Sequence, residues 1–162
     1  MTVAILTVSD SATRGTREDV SGPLLRTRCE ELGWEVADSA VVPDEAEPIV
    51  ERLKEWSDNK RISLILTTGG TGVAARDITP EATRSIVERE IPGLGELMRA
   101  QGMQQTPFSA LSRAIAGARG GTLIVNLPGS PKGALYSLGI IESLAPHAVR
   151  LLAGETEHEA AS

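Results

Sequence analysis

Aromatic side chains are almost missing from this chain: two tryptophans, one tyrosine and one phenylalanine are all that occur in 162 residues. The core must be filled by Val, Ile, Leu and Ala, and a surface that stacks bare bases is excluded. Basic clusters are missing as well. The 16 Lys and Arg are scattered, and 22 Asp and Glu outnumber them to a formal charge of -6. Without a Lys/Arg stripe there is no electrostatic footprint for nucleic acid, and no nucleic-acid partner is expected. There is one cysteine, Cys29, so no intramolecular disulfide can form. Leu24, Leu25 and Leu32 place it on the inner side of a helix, where it reads as a small buried hydrophobe. The two histidines, His147 behind a proline and His158 near the end of the chain, show no Ser/His/Asp or metal-ligand spacing. No long apolar run is present either. The opening segment MTVAILTVSD lacks a basic n-region and is too short in apolar residues for a signal peptide or a membrane span. No membrane partner is expected, and a cytoplasmic location is the expectation.

What the sequence does have is 41% hydrophobic and 23% charged residues, the mix of an ordinary folded domain. Its length suits one domain, expected over 1–153, with a frayed acidic tail over 154–162 that has no large apolar residue. Residues 3–8 form a short, β-branched apolar run that stops at Ser9-Asp10-Ser11, a buried strand followed by a polar turn. Leu24, Leu25, Arg28, Cys29 and Leu32 trace a helical stripe, with Gly33 at its end. A second strand is expected over 34–42, ending at Pro43. Asp44 and Glu47 then read as an Asp-x-x-Glu cap for a helix carrying Ile49, Val50, Leu53 and Trp56. A third strand, 63–66, runs into a glycine loop. Thr79-Pro80 opens the next helix as N-cap and first-turn proline, with Ile86 and Val87 on its apolar side. Leu94, Leu97 and Met98 outline another. Two extended segments, 112–119 and 122–127, flank Gly120-Gly121 as a hairpin. A last helix carries Leu135 to Val149, bent at Pro146. Strands alternating with helices predict a mainly parallel sheet covered on both faces, with the hairpin adding an antiparallel element: an α/β fold.

In parallel α/β sheets ligands bind beyond the carboxyl ends of the strands. Four expected strand ends carry Ser9-Asp10, Asp44, the Thr68-Gly69-Gly70-Thr71-Gly72 loop and Pro128-Gly129-Ser130-Pro131 to what should be one rim. Three glycines let backbone N–H groups approach an anion closely. The loop has no lysine, so it is not a P-loop. Gly70 to Ala75 fits G-x-G-x-x-G/A formally, but the following helix is delayed to Thr79-Pro80, which weighs against a dinucleotide site. Asp77 follows the loop at once. A carboxylate beside an anion cradle repels phosphate unless a divalent cation lies between them, and Mg²⁺ favours one or two carboxylates plus substrate phosphates. Asp44 can supply the second carboxylate, and Asp10 is a further candidate.

The sequence resembles the MogA/MoaB family of molybdenum-cofactor biosynthesis and the G domain of gephyrin. The likeness lies in Thr-Val-Ser-Asp at 7–10, Asp19 with Ser21-Gly22-Pro23, and Val42-Pro43-Asp44-Glu45. It continues through Thr68 to Gly72, Arg76-Asp77-Ile78-Thr79-Pro80-Glu81-Ala82-Thr83, Ile91-Pro92-Gly93, Thr106-Pro107, Leu111-Ser112-Arg113-Ala114 and Asn126 to Pro131. The resemblance implies a three-layer α/β/α molybdopterin-binding fold that assembles as a homotrimer. It implies transfer of AMP from ATP to the terminal phosphate of molybdopterin, with Mg²⁺ and release of pyrophosphate. Some relatives of the MoaB type only bind or deliver the pterin, and that alternative stays open. The family's catalytic, metal-holding aspartates match Asp44 and Asp77. Ser9, Asp10, Thr68, Gly69, Gly70, Thr71, Gly72, Ser112, Arg113, Pro128, Gly129, Ser130 and Pro131 match its ATP and pterin segments. No fused molybdate-insertion domain accompanies them, so a separate insertion protein is the implied partner.

Overall fold

The structure, a computed structural model, describes residues 1–155. Its six-stranded sheet has the order β2-β1-β3-β6-β5-β4. Strands β1 (Thr2–Val8), β2 (Glu35–Val42), β3 (Leu64–Thr68) and β6 (Thr122–Leu127) run parallel. The register aligns Thr7 with Thr68, Thr68 with Leu127 and Val8 with Val42, so four carboxyl ends finish at one edge. Strand β5 (Ala116–Arg119) folds back antiparallel on β6 through Gly120, whose φ of 53° suits a tight hairpin, and the short β4 (Arg89–Glu90) pairs with β5.

Side-chain alternation along the strands divides the core. Val3, Ile5, Leu64, Leu66, Leu123 and Val125 face α2 (Ser21–Glu31), α5 (Pro92–Gly102), α6 (Pro131–Ile141) and α7 (Ala145–Leu152). Ala4, Leu6, Val8, Ile65 and Ile124 face α3 (Ala46–Lys54) and α4 (Thr79–Arg84) on the other side. The result is the expected layered sheet with helices on both faces. A short helical turn, α1 (Asp10–Thr13), follows β1.

Cys29 is fully buried in α2, as its spacing implied, and burial pushes its thiol pKa up to about 12. The thiolate is the reactive form, so we expect iodoacetamide at pH 8 to leave native Cys29 unmodified and to alkylate it fully in urea. Mass spectrometry of the two samples checks this.

Several local expectations give way to tertiary contacts. The third strand runs on to Thr68 because β6 offers it ladder partners to Leu127. The segment 112–119 is strand only from Ala116. Ser112 ends a 3₁₀ turn (Pro107–Leu111), and the Arg113 N–H leaves the sheet to bond the Thr71 carbonyl at 2.9 Å. The last helix is two helices, α6 and α7. Pro146 sits in the first turn of α7, where its missing N–H costs nothing, so it starts a helix instead of bending one. Helix α3 ends at Lys54, and a wider π turn (Glu55–Asn59) follows. That turn carries Trp56 into the core, its indole N–H donating to Asp38 Oδ2 at 2.9 Å. Helix α4 stops at Arg84, so Ile86 and Val87 lie beyond it, although Ile86 remains buried. Of the expected tail, 156–162 lie outside the described residues.

Candidate active site

The four strand ends build one connected rim. After β1, Ser9 caps the turn α1, its Oγ accepting the Ala12 N–H at 3.2 Å. The next residue locks to the end of β2: the Asp10 N–H donates to Asp44 Oδ2 at 2.8 Å, and the Asp44 N–H donates to Asp10 Oδ1 at 3.0 Å. Asp44 therefore does not cap α3. Glu45 precedes that helix and provides no side-chain cap, so the Asp-x-x-Glu cap is not formed. A partner 34 residues away outcompetes the local helix N–H groups. Arg76 reaches across from the glycine loop, its Nε and Nη2 donating to the Asp10 carboxylate at 2.6 and 3.0 Å.

These contacts separate the two carboxyls electrostatically. The Arg76 guanidinium, then the Asp44 N–H, holds Asp10 below the usual carboxylate range. Burial pushes Asp44 above it, and the charges of Asp10 and Asp77 push the same way.

Strand β3 delivers the glycine loop. The Thr68 hydroxyl donates to the Pro128 carbonyl at 2.7 Å, joining the ends of β3 and β6. Gly69 and Gly70 have φ of 101° and 66°, a left-handed path that side chains resist. A Cβ on Gly69 would run into the Val8 carbonyl oxygen, while one on Gly70 would meet Thr79 Oγ1 and stand 3.3 Å from Asp44 Oδ1. Thr79 was expected as an N-cap. Its hydroxyl instead donates to the Gly69 carbonyl at 2.8 Å and its N–H to the Gly70 carbonyl at 3.0 Å. Among the described residues, the N–H groups of Gly70, Thr71, Gly72 and Val73 have no protein acceptor. Asp77 folds back over this loop. Its Oδ2 accepts the Ala74 N–H at 2.9 Å and lies 2.8 Å from where a Gly72 Cβ would stand. Asp44 and Asp77 thus border the same loop, one beside Gly70 and one beside Gly72. Helix α4 opens only at Thr79, so no helix N-terminus rises from the glycines as a dinucleotide fingerprint requires.

The Pro128 to Pro131 turn closes the rim. Ser130 caps α6 by accepting the Gly133 N–H, and Gly129 packs against Gly69 so closely that a Cβ would sit 3.1 Å from the Gly69 Cα. Beneath it, buried Asn126 donates to Thr67 Oγ1 at 3.0 Å and Thr83 Oγ1 at 2.9 Å, pinning α4 to the sheet under the loop.

Two cavities open on this rim, of about 620 and 420 Å³, and both are walled by Gly70, Gly129 and Ser130. The larger also touches Thr71, Gly72, Asp77 and Ser112, and the smaller touches Ser9, Asp44, Thr68, Gly69 and Pro131. Asp10 and Arg113, both expected at a ligand, line neither cavity: Asp10 is bonded to Asp44 and Arg76, and the Arg113 guanidinium is turned to backbone carbonyls and Glu81.

Lys132 and Tyr136 line the larger cavity without having been expected there, while Asp19 and Ser21, part of the family likeness but given no role by it, line the smaller. Lys132 carried a signal: a cation in the first turn of a helix opposes the macrodipole, a placement that calls for an anionic partner. Asp19 was marked by the family likeness, but its placement depends on Thr7, whose hydroxyl it accepts at 2.8 Å.

Among the described residues no group of three or more His, Cys, Asp or Glu is arranged to hold a metal. Asp44 and Asp77, the two carboxylates bordering the glycine loop, are the groups that could hold a divalent cation completed by substrate phosphates; burial first, and then the charges of Asp10 and Asp77, disfavour an ionised Asp44 that such a cation would stabilise. No described helix is long and apolar enough to cross a membrane.

Comparison with known proteins bears on the fold and the family. Residues 4–145 match the family model described as "Probable molybdopterin binding domain". The chain is 38% identical over 154 residues to the molybdopterin adenylyltransferase of Helicobacter pylori J99, covering 94% of this chain and 88% of that protein. It is 43% identical to the molybdenum cofactor synthesis protein cinnamon of Drosophila melanogaster, covering 94% of this chain but spanning only 26% of that longer protein. The crystal structure of MoaB from Thermus thermophilus, described as a molybdopterin biosynthesis enzyme, superposes with a TM-score of 0.90 at 52% identity, covering 94% of this chain and 96% of that one. With the family model matched over most of its length and the same fold in its relatives, the chain belongs to the MogA/MoaB family of molybdenum-cofactor biosynthesis proteins.

Proposed function

We propose that this protein catalyses the Mg-ATP-dependent adenylylation of molybdopterin, giving adenylyl-molybdopterin and pyrophosphate. The observation that carries the reading is the pair of cavities sharing the wall Gly70, Gly129 and Ser130, with Asp44 on one side and Asp77 on the other. A group transfer between two anionic molecules needs two adjoining sites with a common anion-binding wall.

In this reading a terminal phosphate oxygen of molybdopterin attacks the α-phosphorus of ATP. The bond from that phosphorus to the oxygen bridging to the β-phosphorus breaks, and its electron pair leaves with pyrophosphate. A phosphate monoester, with its second pKa near about 6, is mostly a dianion at neutral pH. The attacking oxygen therefore needs no side-chain base, and no histidine lines either cavity. The residues' work is positioning and charge stabilisation. The outward N–H groups of Gly70, Thr71 and Gly72 hold phosphate oxygens, with Gly129, Ser130 and the first turn of α6 facing them across the shared wall. Ser9, Thr68, Ser112 and the Pro128 and Pro131 turn shape the two sites, and Asp10 holds Asp44 in place beside them. Asp44 and Asp77 would hold Mg²⁺, which neutralises charge on the polyphosphate and the departing pyrophosphate. A homotrimeric assembly is part of the same proposal. A cytoplasmic location and a separate molybdate-insertion protein complete the proposal.

The test is to incubate the protein with molybdopterin, ATP and Mg²⁺ and to measure pyrophosphate. Release that depends on the pterin is expected. Molybdopterin binding with no release would replace this reading with a MoaB-type binding and delivery role.

A further inference from the structure

Four consecutive carbonyls of the glycine loop are tied away from the cavities. Thr79 takes two: its hydroxyl bonds the Gly69 carbonyl and its N–H the Gly70 carbonyl. Arg113 takes the other two, its backbone N–H bonding the Thr71 carbonyl at 2.9 Å and its Nε the Gly72 carbonyl at 2.7 Å. Arg113 then extends further along the loop, with Nη2 on the Asp77 carbonyl and Nη1 on the Glu81 carboxylate. All three guanidinium nitrogens are engaged with protein.

No peptide bond in the described chain is cis. In a planar trans peptide the C=O and the following N–H point in opposite directions. Each carbonyl tied toward Thr79 or Arg113 therefore sends the next N–H the other way. Those are the N–H groups of Gly70, Thr71, Gly72 and Val73, the ones without a protein acceptor, and all four residues line the larger cavity. Resting on the adenylyl-transfer reading above, we propose that Arg113 is a positioning residue. From behind the loop it orients the anion-binding N–H groups of Gly72 and Val73 and sets the place of Asp77, without touching substrate. Its neighbours Ser112 and Ala114 line the larger cavity and Arg113 does not, which separates this role from direct phosphate contact.

The experiment compares wild type, Arg113→Ala and Arg113→Lys by AMP transfer and by amide hydrogen exchange in the unliganded protein. Arg113→Ala is expected to lower kcat/KM about 30-fold, the scale of one lost charged hydrogen bond. Added ethylguanidinium is expected to restore about a third or more of the lost activity, because a free guanidinium can re-occupy the same carbonyls. The Ala74 N–H, which bonds the Asp77 carboxylate, should exchange about tenfold faster in the variant, while the Thr79 N–H, bonded to Gly70, stays as in wild type. Arg113→Lys places one ammonium where a planar fork stood and should show both effects at smaller size, which keeps the test open if the alanine variant fails to fold. Full activity in both variants, or lost activity with unchanged Ala74 exchange, overturns the proposal; the second outcome would make Arg113 a direct ligand. If wild type transfers no AMP, the functional reading fails, and the exchange comparison still decides what Arg113 does to the loop.

Discussion

Asp44→Asn is expected to lower AMP transfer on the order of 100- to 1,000-fold, the cost of removing one preorganised electrostatic group from a site where charge moves. Asp77→Asn should lose a similar amount. In both variants the fold should persist, because an asparagine oxygen can still accept the Asp10 N–H at position 44 or the Ala74 N–H at position 77. The Asp44 variant should also gain stability over wild type. Burial, followed by the charges of Asp10 and Asp77, raises the Asp44 pKa in the folded protein. A carboxyl with a raised folded pKa opposes folding once it is ionised. That penalty is fully present above the folded pKa and vanishes below the unfolded value of about 3.9. Asp44→Asn should therefore be the more stable protein at pH 7.5. Solvent screening of this half-exposed group limits the gain to about 0.5 kcal/mol, or ~1–2 °C in Tm. The advantage should close as pH falls toward about 4. Calorimetry at several pH values together with pyrophosphate release measures both halves. Undiminished transfer in either variant would remove that carboxylate from the mechanism.

The second large effect concerns the glycine loop. Gly69→Ala should cost roughly 2–4 kcal/mol, because alanine pays for a positive φ and its Cβ also has no room. At φ of 101° the new methyl would overlap the Val8 carbonyl oxygen, which belongs to a central strand and cannot step aside. We expect Tm to fall by roughly 5–10 °C and transfer activity to fall with it, since the same shift displaces Gly129 across the shared wall. Gly139→Ala is the matched control. Gly139 sits exposed within α6 with open space around its Cβ position, so alanine there should stabilise by about 0.5–1 kcal/mol. A Gly69→Ala variant as stable as the control would show that the loop is not held as described.

The layered fold was legible because it rests on local regularities. Val3 to Val8 alternate between two helix layers with the period of a strand, and Leu25 with Cys29 marks the buried side of α2. Ends that looked local proved otherwise. Asp44 and Thr79 have the composition and spacing of helix caps, yet each bonds a partner brought by the sheet, Asp10 across β1 and β2 and Gly69 at the end of β3. Pro146 starts a helix instead of bending one because α7 packs separately on the sheet.

The sequence by itself determined that four strand ends carrying Ser9, Asp44, the glycine loop and the Pro128 turn would meet at one edge, since parallel strands with buried faces leave no other place for their carboxyl ends. Only the tertiary structure decided which groups face the substrates and which hold them in place. Arg113 lies 41 residues from Gly72, and Asp10 lies 66 residues from Arg76. Hydrogen bonds act over about 3 Å, so these choices are made by the packing of distant segments and not by spacing along the chain.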